Sequence, residues 1–246
     1  VIYKYFLYFP GTLNEVEDMW QVVKNIVRDV YKDWREPDRG IWEIRGNSTH
    51  FVFSKVMSWV ALDRAVKIAE LLDQDSFASM WREEADSIVM DVHIKGWNAQ
   101  LGSFTQAYDN SALDSSLLLM EEYGFIQPDD PKYISTVMAI KHDLLKDSLM
   151  YRYRVEDDFG QPKSAFTICT FWMIRALYVI GEQQQARDLF SNLLKYSNHL
   201  GLFSEDLDFV TKRQLGNFPQ AYSHLALINT IELFSKEMER SCFIKP

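Results

Sequence analysis

The sequence predicts an all-α fold built of helical hairpins, and three observations predict it. Apolar residues recur at helical spacing along most of the 246-residue chain. Only 10 Gly and 7 Pro leave too few turn residues for an all-β sandwich. Short aromatic segments, each with a glycine or turn residue, also interrupt the helical stretches at intervals that fit one hairpin each. The charge of −9, from 26 basic and 35 acidic residues, disfavours a nonspecific grip on nucleic acid or an anionic membrane.

The helices follow in order. Val1 to Phe9 forms an apolar tail, broken by Lys4 and ended by Pro10, that looks like the end of an earlier helix. From Leu13 to Trp34 the residues Val16, Met19, Trp20, Val23, Ile26, Val27 and Val30 make one buried stripe, and Thr12 with Glu15 forms the capping box that opens it. His50 to Leu72 is apolar nearly all round, which predicts a helix between neighbours. Asp75 to Ile94 is a third helix, with Asp75 and Ser76 as cap candidates. Further helices are expected at Ser111–Tyr123, Asp130–Leu145, Ser164–Ile180, Glu182–Ser197 and Phe218–Met238. Pro131 and Pro219 fall where a first-turn proline belongs, and Gly124, Gly181 and Gly201 where helices stop.

The interrupting segments are Gly40–Glu43, Leu101–Phe104, Met150–Tyr153 and Gly201–Glu205. Their markers Trp42, Phe104, Tyr151 and Phe203 are 62, 47 and 52 residues apart. Loops at the same stage of successive hairpins line one rim of a stacked or ring-closed array, and an ordinary all-α bundle with aromatic loops is the competing reading. About eight helices are found where a ring of six hairpins carries twelve.

Two glutamates on these loops are candidates for chemistry. Glu43 lies between Trp42 and Arg45, where a neighbouring indole can desolvate a carboxyl and keep it protonated as a general acid. Glu205 stands beside a second acid, Asp206, with no basic residue nearby in sequence, as suits a carboxylate base. One acid and one base on one rim is the apparatus of glycoside hydrolysis, although among 35 acidic residues most such pairs are solvated surface. Arg152 and Arg154 alternate with Tyr151 and Tyr153, so their guanidinium groups either reach sugar hydroxyls or pair with Glu156 or Asp157. Trp97 and Trp172 read as core before platform. His50, His93, His142, His199 and His224 are scattered, and no glycine-rich phosphate loop, nucleophile elbow or Cys/His zinc spacing occurs. No cofactor is therefore expected. Two cysteines, Cys169 and Cys242, fit a reducing cytoplasm.

Three strings carry a family resemblance: Trp34-Arg-Glu-Pro-Asp-Arg-Gly-Ile-Trp-Glu-Ile-Arg-Gly46, His50-Phe-Val-Phe-Ser-Lys-Val-Met-Ser-Trp-Val-Ala-Leu-Asp-Arg-Ala65, and Gly201-Leu-Phe-Ser-Glu205 followed by Leu215-Gly-Asn-Phe-Pro-Gln-Ala-Tyr-Ser-His224. The chain resembles the C-terminal two thirds of the catalytic domain of glycoside hydrolase family 15, the glucoamylase and trehalase family. The resemblance implies an (α/α)6 barrel and hydrolysis of α-glucosidic bonds with inversion. It implies Glu43 as general acid and Glu205 as general base, Trp42 and Arg45 as supports of the acid, and Arg154 and Asp157 as sugar contacts with Arg152 a rival. Trp97 completes the substrate-binding candidates. On this reading residues 1–246 are one portion of the catalytic domain, without the family's N-terminal β-sandwich and first barrel helices, including an Arg-Asp motif that holds the non-reducing sugar. The leading expectation is a glucoamylase-like enzyme acting on α-glucan oligosaccharide. The alternatives are trehalase and a catalytically silent sugar-binding fragment. A partial ring exposes apolar faces, so a homo-oligomer or a complementing chain is expected.

Overall fold

The structure is a computed structural model that describes residues 1–8, 11–157 and 160–242, with side chains through 235. Phe9, Pro10 and the side chain of Cys242 lie outside the described residues. Among the described residues eight α-helices dominate: α1 (Ile2–Tyr8), α2 (Leu13–Asp33), α3 (Val52–Leu71), α4 (Asp75–Lys95), α5 (Pro131–Leu144), α6 (Thr167–Val179), α7 (Gln183–Leu194) and α8 (Ala221–Cys242). Seven short strands lie in the connections: β1 (Trp97–Asn98), β2 (Ser103–Phe104), β3 (Leu145–Lys146), β4 (Leu149–Met150), β5 (Ser164–Phe166), β6 (Asp206–Asp208) and β7 (Gln214–Leu215). The chain divides into two compact units, the first made of residues 1–98 and 106–110, the second of residues 99–105 and 111–246.

In the first unit, α2 begins with the expected capping box. The Thr12 hydroxyl accepts the Glu15 N–H, and Glu15 Oε2 accepts the Thr12 N–H at 2.8 Å. Trp20, Val23 and Val27 face inward from α2, and Trp20 meets Phe77 edge-on (5.5 Å) and Trp81 (5.3 Å) of α4. α3 buries Val52, Val56, Leu62, Val66, Ile68 and Ala69, so its all-round apolar sequence reflects neighbours on several sides. Neither Asp75 nor Ser76 caps α4. Gln74 occupies the cap and Asp75 is already the first helical residue, placing its charge in the first turn beside the helix dipole.

In the second unit, α6 is buried over most of its circumference, from Thr167 to Tyr178. It ends where Gly181, at φ +96°, takes a backbone angle that side chains resist. α5 starts as expected, with Asp130 capping the Lys132 N–H and Pro131 in the first turn. Two expectations fail here. Ser111–Tyr123 is not an α-helix but a short 3-10 helix, Ser115–Leu119. Asp114 takes the Ser116 N–H while the Arg152 carbonyl takes the Ser115 N–H, so tertiary partners replace helical ones. Pro219 is not in the first turn of α8, which starts at Ala221; the Gln220 N–H is spent on the Phe203 carbonyl. A three-stranded antiparallel sheet, in order β5-β6-β7, was not foreseen; it pairs Asp206 with Phe166 on one side and Leu215 on the other. Its segments are too short for an alternating pattern to stand out.

Candidate active site

In the first unit, the candidate residues Trp42, Glu43 and Arg45 lie on the loop between α2 and α3. Asp38 and Thr49 form an antiparallel bridge that closes its base, with N–H to carbonyl distances of 2.8 and 2.9 Å. The Asp38 carboxylate accepts the Gly40 N–H and the Ser54 hydroxyl, tying the loop to the start of α3. Gly40 takes φ +67°, and a Cβ there would meet the Phe51 ring at 3.0 Å, so only glycine fits. Beneath the loop, the buried Lys55 ammonium, 2% exposed, donates to the carbonyls of Trp34 and Glu36 at 2.6 Å each. Burial pushes this amine down from its usual range, opposed by the nearby Asp38, Asp91 and Glu36.

Glu43 stands at the tip of this loop at φ +52°, a left-handed conformation that costs a non-glycine residue about 1 kcal/mol. Strain of this kind is held where the surrounding loop over-determines it, and here the turn bonds Glu43 N–H to Gly40 C=O and Ile44 N–H to Arg39 C=O do so. The expected desolvation of Glu43 by Trp42 is corrected: Trp42 is half-buried, but Glu43 and Arg45 are exposed, and nothing among the described residues covers the loop tip. Trp97, also half-buried, lies in β1 just past α4.

In the second unit, the candidate residue Glu205 lies beside β5-β6-β7. The residues before β6 are held backbone atom by backbone atom. Phe203 N–H donates to His224 Nε2 (3.3 Å), the Ser223 hydroxyl to Ser204 C=O (2.9 Å), Glu205 N–H to Asn217 C=O (2.9 Å) and Thr167 N–H to Glu205 C=O (2.9 Å). With Nε2 accepting, His224 Nδ1 carries the proton given to Gln220 C=O at 2.7 Å. Glu205 Oε2 accepts two N–H groups of Asn217, from the backbone at 3.0 Å and from Nδ2 at 2.8 Å. Gly216, at φ +71°, leaves the space for this contact, since a Cβ there would meet Glu205 Oε2 at 2.8 Å. Among the described residues, Oε1 of Glu205 takes no hydrogen bond.

Asp206, the next residue, is half-buried and accepts the Ser164 hydroxyl at 2.9 Å. Burial raises its carboxyl to about 6; the Glu205 charge adds to this, while Ser164 and Arg152 oppose it. Asp157, 4% exposed, accepts from Arg152 at 2.7 Å and from the Tyr153 hydroxyl at 2.6 Å. Arg154 turns instead to Asp143 at 3.4 Å and is exposed. The structure thus brings Asp157 together with Arg152 and not with Arg154. Tyr153, between the two arginines, is pinned by its bridge to Asp114, and Arg154 is held instead by the Asp143 carboxylate. Sequence reasoning missed the roles of Asn217 and Ser164. The signal for Asn217 was available as a return strand shortly after Glu205; Ser164 is remote in sequence. No group of His, Cys, Asp and Glu among the described residues is arranged to hold a metal ion. Likewise, no described helix is long and apolar enough to cross a membrane.

The chain belongs to glycosyl hydrolases family 15, whose profile matches residues 2–232. It is 44% identical over 234 residues to a trehalase of Mycobacterium tuberculosis, covering 94% of this chain and 34% of that one. A trehalase of Thermoplasma acidophilum is 37% identical over 219 residues, covering 89% and 37%. The chain therefore spans about a third of the length of these relatives. In fold it is similar to a bacterial glucoamylase solved with acarbose (TM-score 0.75, 18% identity, 94% of this chain and 39% of that chain) and to the glucoamylase of Saccharomycopsis fibuligera (TM-score 0.69, 16% identity, 89% and 62%). The helical-hairpin fold of glucoamylase type expected from the strings is the fold observed. Between the two activities weighed from the sequence, the named relatives favour trehalase over the glucoamylase-like reading that led.

Proposed function

We propose that this chain carries the two catalytic carboxyls of an inverting trehalose hydrolase, with Glu43 as general acid and Glu205 as general base. The observation that carries the reading is the Glu205 carboxylate. One oxygen is fixed by two Asn217 donors, which stabilise the charge, while the other is open to accept a proton from water. Glu43 protonates the oxygen of the α,α-1,1 bond as the bond to the first glucose breaks. Glu205 takes a proton from the water that attacks that glucose from the opposite face. One molecule of β-glucose and one of α-glucose leave, and the proton moves from Glu205 to Glu43 through solvent before the next cycle. Inversion requires the two carboxyls to stand about 6.5–9.5 Å apart, leaving room for the water. Within this proposal Trp42, Arg45 and Trp97 contact sugar on the acid side. Arg154 and Asp157 belong to the sugar-contacting segment, where Asp157 orients the guanidinium of Arg152. The reaction needs no cofactor, and a cytoplasmic setting is part of the same reading.

Glucose release from trehalose, maltotriose and soluble starch tests the proposal. Trehalose is the preferred substrate, and Glu43→Gln and Glu205→Gln each lower turnover by at least about 100-fold. Preference for maltotriose or starch returns the glucoamylase reading, which the similarity in fold to glucoamylases supports. Sugar binding without turnover of any of the three supports the silent fragment.

A further inference from the structure

We propose that Asp206 is a positioning residue for Glu205: in the acidic range this adjacent carboxyl pair carries its proton on Asp206, against the Ser164 hydroxyl, and so leaves Glu205 as the carboxylate. The inference rests on Glu205 being the base. It deepens that reading by saying how the base stays ionised when the medium is acidic enough to keep a general acid protonated.

The hydrogen-bond partners decide which carboxyl takes the proton. Glu205 Oε2 accepts from a backbone N–H and an amide N–H, both of which only donate, and such bonds are stronger to the charged carboxylate than to an acid protonated on its open Oε1. Asp206 Oδ2 faces a hydroxyl, which donates to the ionised carboxylate and accepts from the protonated one simply by rotating. The Asp206 contact serves either charge state, whereas the two donors on Glu205 favour its charged form. Position acts in the same direction. Asp206 lies in the middle strand of the sheet, paired on both sides with Phe166 and Leu215. Glu205, just outside the strand, is held at its edge by Asn217.

The charged and titratable groups around Asp206 are few. Glu205 precedes it on its own segment and favours the neutral form. Arg152, from the segment before β5, favours the charged form, but its guanidinium is already paired with Asp157. Cys169, from α6, is fully buried, and its thiol is pushed well up by burial and by Asp114. From β5 and β7 the facing partners are Ser164 and Leu215, which do not titrate. Asp206 accordingly ionises at about 6, within reach of a functional pH range.

Carboxyl-carbon NMR of 13C-glutamate-labelled chain tests this without requiring turnover, with Glu205→Gln identifying the Glu205 resonance. In the native chain the Glu205 signal shows a second inflection near pH 6 as Asp206 ionises. Asp206→Asn, which keeps a hydrogen-bonding group opposite Ser164, loses that inflection. Ser164→Ala, which removes the bond favouring ionised Asp206, moves it to higher pH and supplies the test if Asp206→Asn fails to fold. A Glu205 signal with no inflection near pH 6, or one that persists in Asp206→Asn, overturns the proposal. Trehalose hydrolysis separates the two ideas. Full activity in Glu205→Gln removes the base assignment, and with it the positioning role. An inactive Glu205→Gln with an unaltered Asp206→Asn titration leaves the base standing and removes Asp206 alone.

Discussion

A carboxylate held among N–H donors and one held against a hydroxyl are chemically different groups, and residues 205 and 206 place the two side by side. The consequence for stability has a definite sign. Asp206 binds its proton more tightly in the folded chain than in the unfolded one, so its contribution to stability is greatest at low pH and is lost as pH rises from the ordinary carboxylate range to about 6. Asp206→Asn therefore stabilises the chain above pH 6, by at most about 3 kcal/mol, and has little effect near pH 4. Urea unfolding at the two pH values measures this directly. Gly216 is a second residue whose identity is dictated by one neighbour. Gly216→Ala puts a methyl group 2.8 Å from Glu205 Oε2 and strains a backbone at φ +71°. A loss of about 1–2 kcal/mol in stability is expected, together with a fall in kcat that Asn217→Ala reproduces. Both are read from unfolding midpoints and steady-state kinetics.

Among the elements, the connections carry more of the site than the helices do. The loop from Asp38 to Thr49 owes its shape to a bridge at its base and to one buried lysine, Lys55, which from the first turn of α3 bonds the carbonyls of Trp34, the C-cap of α2, and of Glu36, two residues on. Helix C-termini leave carbonyls without partners, and here an ammonium supplies them. Lys55→Met strands two carbonyls in a buried setting. It is expected to cost about 2–4 kcal/mol and to lower activity through displacement of the Glu43 loop, seen as a lower urea midpoint with retained helical circular dichroism. In the second unit, the sheet β5-β6-β7 holds Glu205. Asp208 Oδ1 accepts the N–H groups of Val210 and Thr211 at 3.0 and 2.6 Å and so forms the turn that returns the chain from β6 to β7. That turn brings Asn217 back to Glu205.

At the scale of the molecule, each unit presents apolar surface. In the first unit a pocket of about 370 Å³ opens between α1, α2 and α3, lined by Val23, Ile26, Met57 and Val60 among others. In the second, Tyr222, Leu225, Ile228 and Ile231 of α8 recur at helical spacing with more than half of each side chain exposed. A stripe of that kind binds apolar dyes and promotes association. The chain is expected to bind such a dye, and Leu225→Gln with Ile228→Gln is expected to reduce the signal at least twofold and to shift any oligomer toward monomer in size exclusion. Dye binding unchanged by the pair of substitutions would show that α8 is covered.

The sequence by itself determined what depends on local order. Helix positions followed from apolar spacing, the start of α2 from Thr12 and Glu15, the start of α5 from Asp130 and Pro131, and the family from strings long enough to be specific. Both candidate glutamates were legible because each lies within such a string. What only the tertiary structure decided depends on residues far apart in the chain. The helix expected at Ser111–Tyr123 became a 3-10 turn because Arg152 claimed its N–H. Asp157 paired with Arg152 because Arg154 found Asp143, at the end of α5, as its own partner. Asp206 took its high ionisation because packing buried it, with Ser164, 42 positions earlier, as its hydroxyl partner. Spacing along the chain encodes which face of an element a residue occupies; the partner on that face, and hence the charge a carboxyl can carry, is set when the elements pack.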